Sequence, residues 1–175
     1  SWVEDELLSL RDSSGASLGA VNANKTRHFG IELGLKAQLT SRLEGRVVYT
    51  FQDFRFRDDP VRGNNRLAGA PRHWFYASAD YSFYQSWTVG ANIRWMMSKT
   101  PVDNMNTIFN DAYFVLDLRT ECEITESISL FGEITNVFDE NYASSTLIVD
   151  QARPDQAVYL PGDGRGLFVG ARWLF

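Results

Sequence analysis

The sequence predicts an all-β fold, an antiparallel transmembrane β-barrel segment of about eight strands, and three observations predict it. Apolar and polar residues alternate with period two over long stretches. Tight turns alternate with long polar connections between those stretches. No run approaches the ~18 to 20 apolar residues that a spanning helix requires, so any membrane segment has to be a strand. The 175 residues are 44% hydrophobic and 22% charged with a net charge of −5, and a mean hydropathy of −0.26 suits strands that are apolar on one side only.

In chain order, Trp2 to Leu10 is expected as a strand whose face is ambiguous, because Glu4, Asp5 and Glu6 run together. From His28 to Leu39 the odd positions hold Phe29, Ile31, Leu33, Leu35, Ala37 and Leu39, and the even ones His28, Gly30, Glu32, Gly34, Lys36 and Gln38. A helix would scatter the apolar set around its axis, whereas a strand puts all six on one side. The pattern recurs in Leu43-Gly45-Val47-Tyr49-Phe51, in Phe75-Ala77-Ala79-Tyr81-Phe83 and in Trp87-Val89-Ala91-Ile93-Trp95. It returns in Phe114-Leu116-Leu118 with Cys122 and Ile124, in Ile128-Leu130-Gly132-Ile134, and in Leu167-Val169-Ala171-Trp173-Phe175.

Leu39 to Arg42, Tyr84 to Ser86 and Thr125 to Ser127 read as tight turns, and Asp12 to Asn24, Arg57 to Pro71, Lys99 to Asp111 and Asp139 to Gly164 as long loops. Outer-membrane barrels carry short periplasmic turns and long extracellular loops. This orientation puts both Ser1 and Phe175 on the periplasmic side. A strand of about 14 residues at ~3.3 Å rise, tilted ~40°, stands about 35 Å tall and crosses an apolar band of ~25 Å. Aromatic residues gather at strand ends, as Phe83 and Tyr84 beside Trp87 and Trp173 with Phe175, where a headgroup girdle would hold them.

The opposite rows carry Glu32, Lys36, Glu44, Arg46, Asp80, Arg94, Asp117, Arg119, Glu121, Glu123, Glu133 and Arg172, which are expected to line a hydrated lumen as cross-strand ion pairs. Eight strands can also close by themselves, so a complete small barrel with a structural or adhesive role stays open on these observations, as does a soluble lipocalin-like barrel with its apolar rows turned inward. Ser1 to Glu6 has neither a basic n-region nor an apolar h-region, and the chain is expected to begin in mid-protein. The single Cys122 excludes an internal disulfide and a cysteine metal site, and the acid surplus argues against a nucleic-acid partner. Gly162-Asp163-Gly164-Arg165-Gly166 follows no strand and opens no helix, so it is not a phosphate-binding loop of a nucleotide enzyme. No Ser-His or Asp-His arrangement converges, so no catalytic residues, resident cofactor or metal site are expected. Haem ligation by His28 and His73, each in an Arg-His pair at the top of a strand, has no other support in the sequence.

Two motifs carry a family resemblance. Asn136-Val137-Phe138-Asp139-Glu140-Asn141-Tyr142 resembles the N-[LV]-F-D-x-x-Y signature of TonB-dependent receptors. Pro161-Gly162-Asp163-Gly164-Arg165, followed by Gly170 and the terminal Trp173-Leu174-Phe175, is similar to that family's closing strand. Asn22 to Glu32 and Leu67 to His73 resemble its loop-to-strand passages in the same order. The resemblance implies that residues 1–175 are the C-terminal portion of a plugged barrel of about 22 strands, without the plug. It implies a bacterial outer-membrane receptor that takes up an iron chelate, most readily a ferric siderophore, as transported ligand. Its partners would be its own plug and remaining strands, the TonB complex, the barrel-assembly machinery, and outer-membrane lipid and lipopolysaccharide. Gly170, Trp173 and Phe175 then resemble the assembly signal. Arg57, Arg62, Arg66, Arg153 and Arg165 are the loop residues suited to contact an anionic chelate.

Overall fold

The computed structural model describes residues 1–11, 16–84, 86–153 and 155–175. In chain order the strands are β1 (Trp2–Arg11), β2 (Ser17–Thr40), β3 (Leu43–Phe56), β4 (His73–Tyr84), β5 (Trp87–Met96), β6 (Thr100–Pro101), β7 (Phe109–Asn110), β8 (Tyr113–Thr125), β9 (Ile128–Thr135), β10 (Ala143–Thr146), β11 (Tyr159–Pro161) and β12 (Gly166–Trp173). Eight of them form one sheet in the order β1-β2-β3-β4-β5-β8-β9-β12. All its pairings are antiparallel. The pairs β6·β7 and β10·β11 are separate hairpins within the long connections.

Register aligns the apolar rows from strand to strand. Leu33 faces Tyr49, then Phe75, Trp95 and Phe114. Two steps lower, Ala37, Gly45, Ala79, Ala91, Leu118, Ile134 and Leu167 form a continuous line across seven strands. Such a slip-free line is what a lipid-facing wall demands, since a one-residue shift would turn every side chain to the other face. The row is bare, with Leu33 61% and Leu35 66% exposed. From Phe75 to Tyr84 on β4 the wall rises about 23 Å at ~3.3 Å per residue and ~40° tilt, close to the ~25 Å apolar band of such barrels.

Two of the three tight turns share one device. Thr40 Oγ1 accepts the Arg42 N–H at 3.2 Å, and Thr125 Oγ1 accepts those of Ser127 and Ile128 at 3.3 and 3.1 Å. A threonine hydroxyl closing a two-residue turn replaces the missing ladder partner. The third turn contains Gln85, which lies outside the described residues.

The N-terminal expectations need three corrections. First, Asp12 to Asn24 is not a long loop: β2 already begins at Ser17, and of that stretch only residues 12–15 lie outside the described residues. The run from Ser17 to Asn24 lacks alternation, but β1 supplies its ladder, with Leu7 opposite Asn22 and Leu10 opposite Gly19. Second, the residues of β1 in this chain do not reach the apolar band: they pair with the upper half of β2, Trp2 opposite Arg27. This placement keeps Glu4, paired with Lys25 at 3.2 Å, out of the apolar band. Third, Ser1 is not at the periplasmic end. Its ammonium donates to the His28 carbonyl at 2.7 Å, and the His28 N–H donates back to the Ser1 carbonyl at 2.9 Å, at the level where the apolar row starts.

β1 and β12 are the two edges of the sheet and do not pair with each other. A complete eight-stranded barrel and a lipocalin-like barrel both require that closing ladder, so both expectations are corrected.

Candidate functional site

The lumen rows form the expected ion pairs. Lys36 meets Glu44 at 2.9 Å, Arg94 meets Asp117 at 3.3 Å, and Arg172 meets Glu121 at 3.1 Å. Asp80 and Arg119 are two strands apart, yet their charges approach to 2.6 Å, passing over Gly90, which the register places between them. A Cβ on Gly90 would collide with the Asp80 carboxylate and lie 2.7 Å from Arg119 Nε. Glycine here is the gap through which the bridge passes.

At the top of the same face the two sequence motifs lock together. Asn136, 1% exposed and left-handed at φ 48°, donates through Nδ2 to the carbonyls of Glu140 at 2.9 Å and Asp163 at 3.0 Å. Its Oδ1 accepts the Glu140 N–H at 2.9 Å, and its own N–H donates to Asp117 Oδ1 at 2.9 Å. One side chain thereby joins the end of β9, its own loop and the loop that returns to β12. Asp139 accepts the Arg165 N–H at 3.1 Å and faces its guanidinium at 3.7 Å. Tyr142 lies against Gly162, where a Cβ would overlap its ring. Its ring centre is also 4.6 Å from that of Tyr113. These are three separate contacts between the motifs, one for each of the signature's Asn, Asp and Tyr.

The three long connections form a single layer. Val102, Val149, Ala152 and Val158 make its apolar core. Asp103 is fully buried. Its carboxylate accepts the Thr107 N–H at 2.7 Å, the Thr107 hydroxyl and the Ala152 N–H at 2.9 Å. Asn104 and Asn106 reach the first loop, accepting the Ala68 N–H at 3.2 Å and the Arg66 N–H at 3.0 Å. Arg62 ties that loop to the last through Asp150 at 2.6 Å, with Asp59 at 3.6 Å.

Beside this layer a cleft of ≈ 600 Å³ is lined by Phe109, Tyr113, Tyr142, Tyr159, Asp111 and Glu140. Tyr159 donates to the Phe109 carbonyl at 2.8 Å. Burial, and then the charges of Asp111 and Asp103, raise the pKa of that phenol. Such a mixture of aromatic faces and a few fixed polar groups is the usual lining of a small-molecule site.

The five arginines expected to contact a ligand are not brought together. Arg62 is 8% exposed and occupied by its two acids. Arg66 donates to the carbonyls of Lys99 and Ala70, each at 3.2 Å. Arg57 lies over the Trp2 ring at 5.7 Å. Arg153 and Arg165 carry the most open side chains, 62% and 58% exposed. The two histidines face opposite ways. His28 pairs with Phe54 on the lumen side, and His73 contacts Tyr49 Oη at 2.8 Å on the outer side, so they cannot share an iron. Of the assembly-signal residues, Gly170 makes room for the Phe131 ring on the lumen face, while Trp173 and Phe175 lie exposed 6.3 Å apart. Sequence reasoning missed Asp103, Asp59 and Asp150, whose only signal was Asp and Asn in loops. It also passed over Arg27, Asp53 and Arg55, although their odd numbers continue the outer rows of β2 and β3.

A family model of the β-barrel of TonB-dependent-receptor-like proteins matches residues 1–137. This chain belongs to the TonB-dependent receptor β-barrel family. The ferripyoverdine receptor of Pseudomonas aeruginosa is 24% identical over 98% of this chain and 21% of that protein. The ferrichrome outer membrane transporter/phage receptor of Escherichia coli is 26% identical over 78% of this chain and 19% of its own length. The chain therefore spans about a fifth of these relatives. Among solved structures, the ferric yersiniabactin uptake receptor of Yersinia pestis superposes with a TM-score of 0.79 at 18% identity, over 98% of this chain and 26% of that one. That likeness shows the shared fold.

Proposed function

We propose that this chain is the C-terminal wall and part of the extracellular loop layer of a bacterial outer-membrane receptor that takes up a ferric siderophore. The observation that carries the reading is that curated relatives covering most of the chain are receptors named for ferripyoverdine, ferrichrome and ferrioxamine. The plug and the remaining strands then belong to the rest of the same polypeptide, and energy reaches the plug through the TonB complex. The iron chelate is cargo rather than cofactor, and no step of catalysis is assigned to any residue.

In this reading the aromatic cleft of Phe109, Tyr113, Tyr142 and Tyr159 contributes to the ligand side of the loop layer, with Arg153 and Arg165 as candidate contacts for chelate oxygens. Arg57, Arg62 and Arg66 serve the fold of the loops around it. Trp173 and Phe175, with Gly170, present the C-terminal strand to the barrel-assembly machinery.

The test is uptake of radioactive ferric siderophores by cells with the whole gene deleted and then restored. Restored cells should take up at least one of a hydroxamate, a catecholate and a pyoverdine-type chelate, saturably and only with TonB present. Restoration of no iron chelate, with the receptor confirmed at the surface, refutes the reading.

A further inference from the structure

The cleft beside the loop layer contains a buried phenol whose hydroxyl has no partner. Parity on β8 sets its place: Tyr113 shares the lumen-side row of Val115 and Asp117 and stands opposite Met96 at the top of β5. Tyr113 is 8% exposed, with the Trp74 ring centre 6.1 Å and the Tyr142 ring centre 4.6 Å from its own. Its hydroxyl makes no hydrogen bond to any described residue, although the side chain lines both this cleft and the smaller one beside it, between Trp74 and Ser144. Buried tyrosines end on a polar partner as a rule, so this hydroxyl marks a place for a group that the chain does not supply.

The charged residues of the cleft are all acidic. Asp111 and Glu140 line it, and no described arginine or lysine does. Glu140 is held by its backbone, whose N–H and carbonyl are each bonded to Asn136 at 2.9 Å, while its carboxylate has no cation among the described residues. Asp111 meets Lys99 at 2.7 Å in a pair open to solvent, and Arg94, below on the same face, is taken by Asp117 at 3.3 Å. One exposed lysine therefore answers two carboxylates. The Tyr159 phenol registers the imbalance, since burial and then the charges of Asp111 and Asp103 raise its pKa. The walls are fixed in advance: besides the Tyr159 bond, Asn110 donates to the Ala143 carbonyl at 3.2 Å and the Gly162 N–H to the Tyr142 carbonyl at 2.8 Å. An anionic group gains nothing in such a place, whereas a cation meets aromatic faces and carboxylates together.

We propose that this cleft binds a protonated amine on an arm of the imported iron chelate. Glu140 and Asp111 supply the counter-charge, the rings of Tyr113, Tyr142 and Tyr159 surround the cation, and the Tyr113 hydroxyl accepts one of its three N–H donors. The inference rests on the reading of the chain as part of a ferric-chelate receptor and narrows the cargo to chelates that carry a basic arm. The oxygen-rich iron end is left to groups outside the cleft.

The experiment is calorimetric titration of the purified full-length receptor. The probes are a ferric trihydroxamate, a ferric catecholate and a pyoverdine-type chelate, each bearing one primary amine that is either free or acetylated. For whichever chelate binds, wild type should hold the free amine on the order of tenfold more tightly than the acetylated form. Glu140→Gln should reduce that ratio to about threefold or less. Tyr113→Phe, which keeps the ring and removes only the hydroxyl, should lower it in the same direction. Equal affinity of wild type for the two forms overturns the proposal and leaves the receptor reading standing. A ratio unchanged in both variants overturns the placement in this cleft. Binding of no chelate in either form, by receptor with an intact barrel, overturns the receptor reading and this proposal with it.

Discussion

Replacing Asn136 with alanine tests whether the signature motif works as a structural lock. The change removes two donated bonds and one accepted bond, leaving the carbonyls of Glu140 and Asp163 and the N–H of Glu140 without partners in a site where Asn136 itself is 1% exposed. At about 1 kcal/mol each these amount to ~3 kcal/mol. The backbone at φ 48° adds ~1 to 2 kcal/mol for an alanine in left-handed geometry. Asn136→Ala should therefore loosen the junction by ~4 to 5 kcal/mol, and Asn136→Gly, which accepts that φ freely, by ~3 kcal/mol. Native-state hydrogen exchange on the full-length receptor reads this at the amides of Glu140 and Arg165. The alanine variant should open them on the order of a thousandfold more often than wild type. Exchange within tenfold of wild type would sink the lock, and equal exchange in the two variants would remove the backbone-strain share of it.

Four further outcomes follow from the geometry. Gly90→Ala should cost no more than about 1 kcal/mol, because Asp80 and Arg119 are both partly solvated, yet a double-mutant cycle on those two residues should show their coupling vanish in that background. Arg62→Ala removes the buried guanidinium that joins Asp59 to Asp150 and should destabilise the loop layer by about 3 to 5 kcal/mol, seen as faster proteolysis between residues 57 and 72; unchanged cleavage would contradict it. Leu33→Arg places a charge on the lipid side at ~2 to 4 kcal/mol and should abolish surface assembly, whereas Lys36→Ala should not, and equal surface levels would refute the face assignment. The raised pKa of the Tyr159 phenol means that its neutral form stabilises the loops fully below the unfolded-state pKa and loses that contribution as pH rises through the folded value. Loop proteolysis should accelerate in that alkaline range in wild type, and the acceleration should be absent from Tyr159→Phe.

The seven alternating strands were legible because lipid imposes a period-two rule that no tertiary contact can relax: Phe29 to Leu39 had to be a strand with that face outward. β1 was expected from Trp2 to Leu10, but the upper half of β2 was not legible for the converse reason. Above the membrane neither face has to be apolar, so Ser17 to Asn24 carries no alternation and its pairing is dictated by the neighbouring chain alone. The loop layer was hidden more deeply. Arg62 and Arg66 looked like exposed cations, and only the partners Asp150 and Asp59, and the carbonyls of Lys99 and Ala70, show that these guanidinium groups hold loops together. The lock between Asn136 and Asp163 joins residues 27 apart, and the sequence marked both ends as motifs without saying that they meet.

The loop layer also constrains how a ligand could act on it. The first long loop is bonded to the second through Asn104 and Asn106, the second to the third through Asp103 and Ala152, and the third to the first through Asp150 and Arg62. The contacts form a closed triangle around the core of Val102, Val149, Ala152 and Val158. A displacement of one loop that preserves these bonds must carry the other two with it. A displacement that does not must expose Asp103, taking the donors from a buried carboxylate, or break the 2.6 Å pair of Arg62 with Asp150. Ligand-driven movement in this part of the receptor should accordingly be all or none across the three loops. The sheet below supplies the fixed frame, since the ion pairs of its lumen face bind strands that the lipid has already set in register.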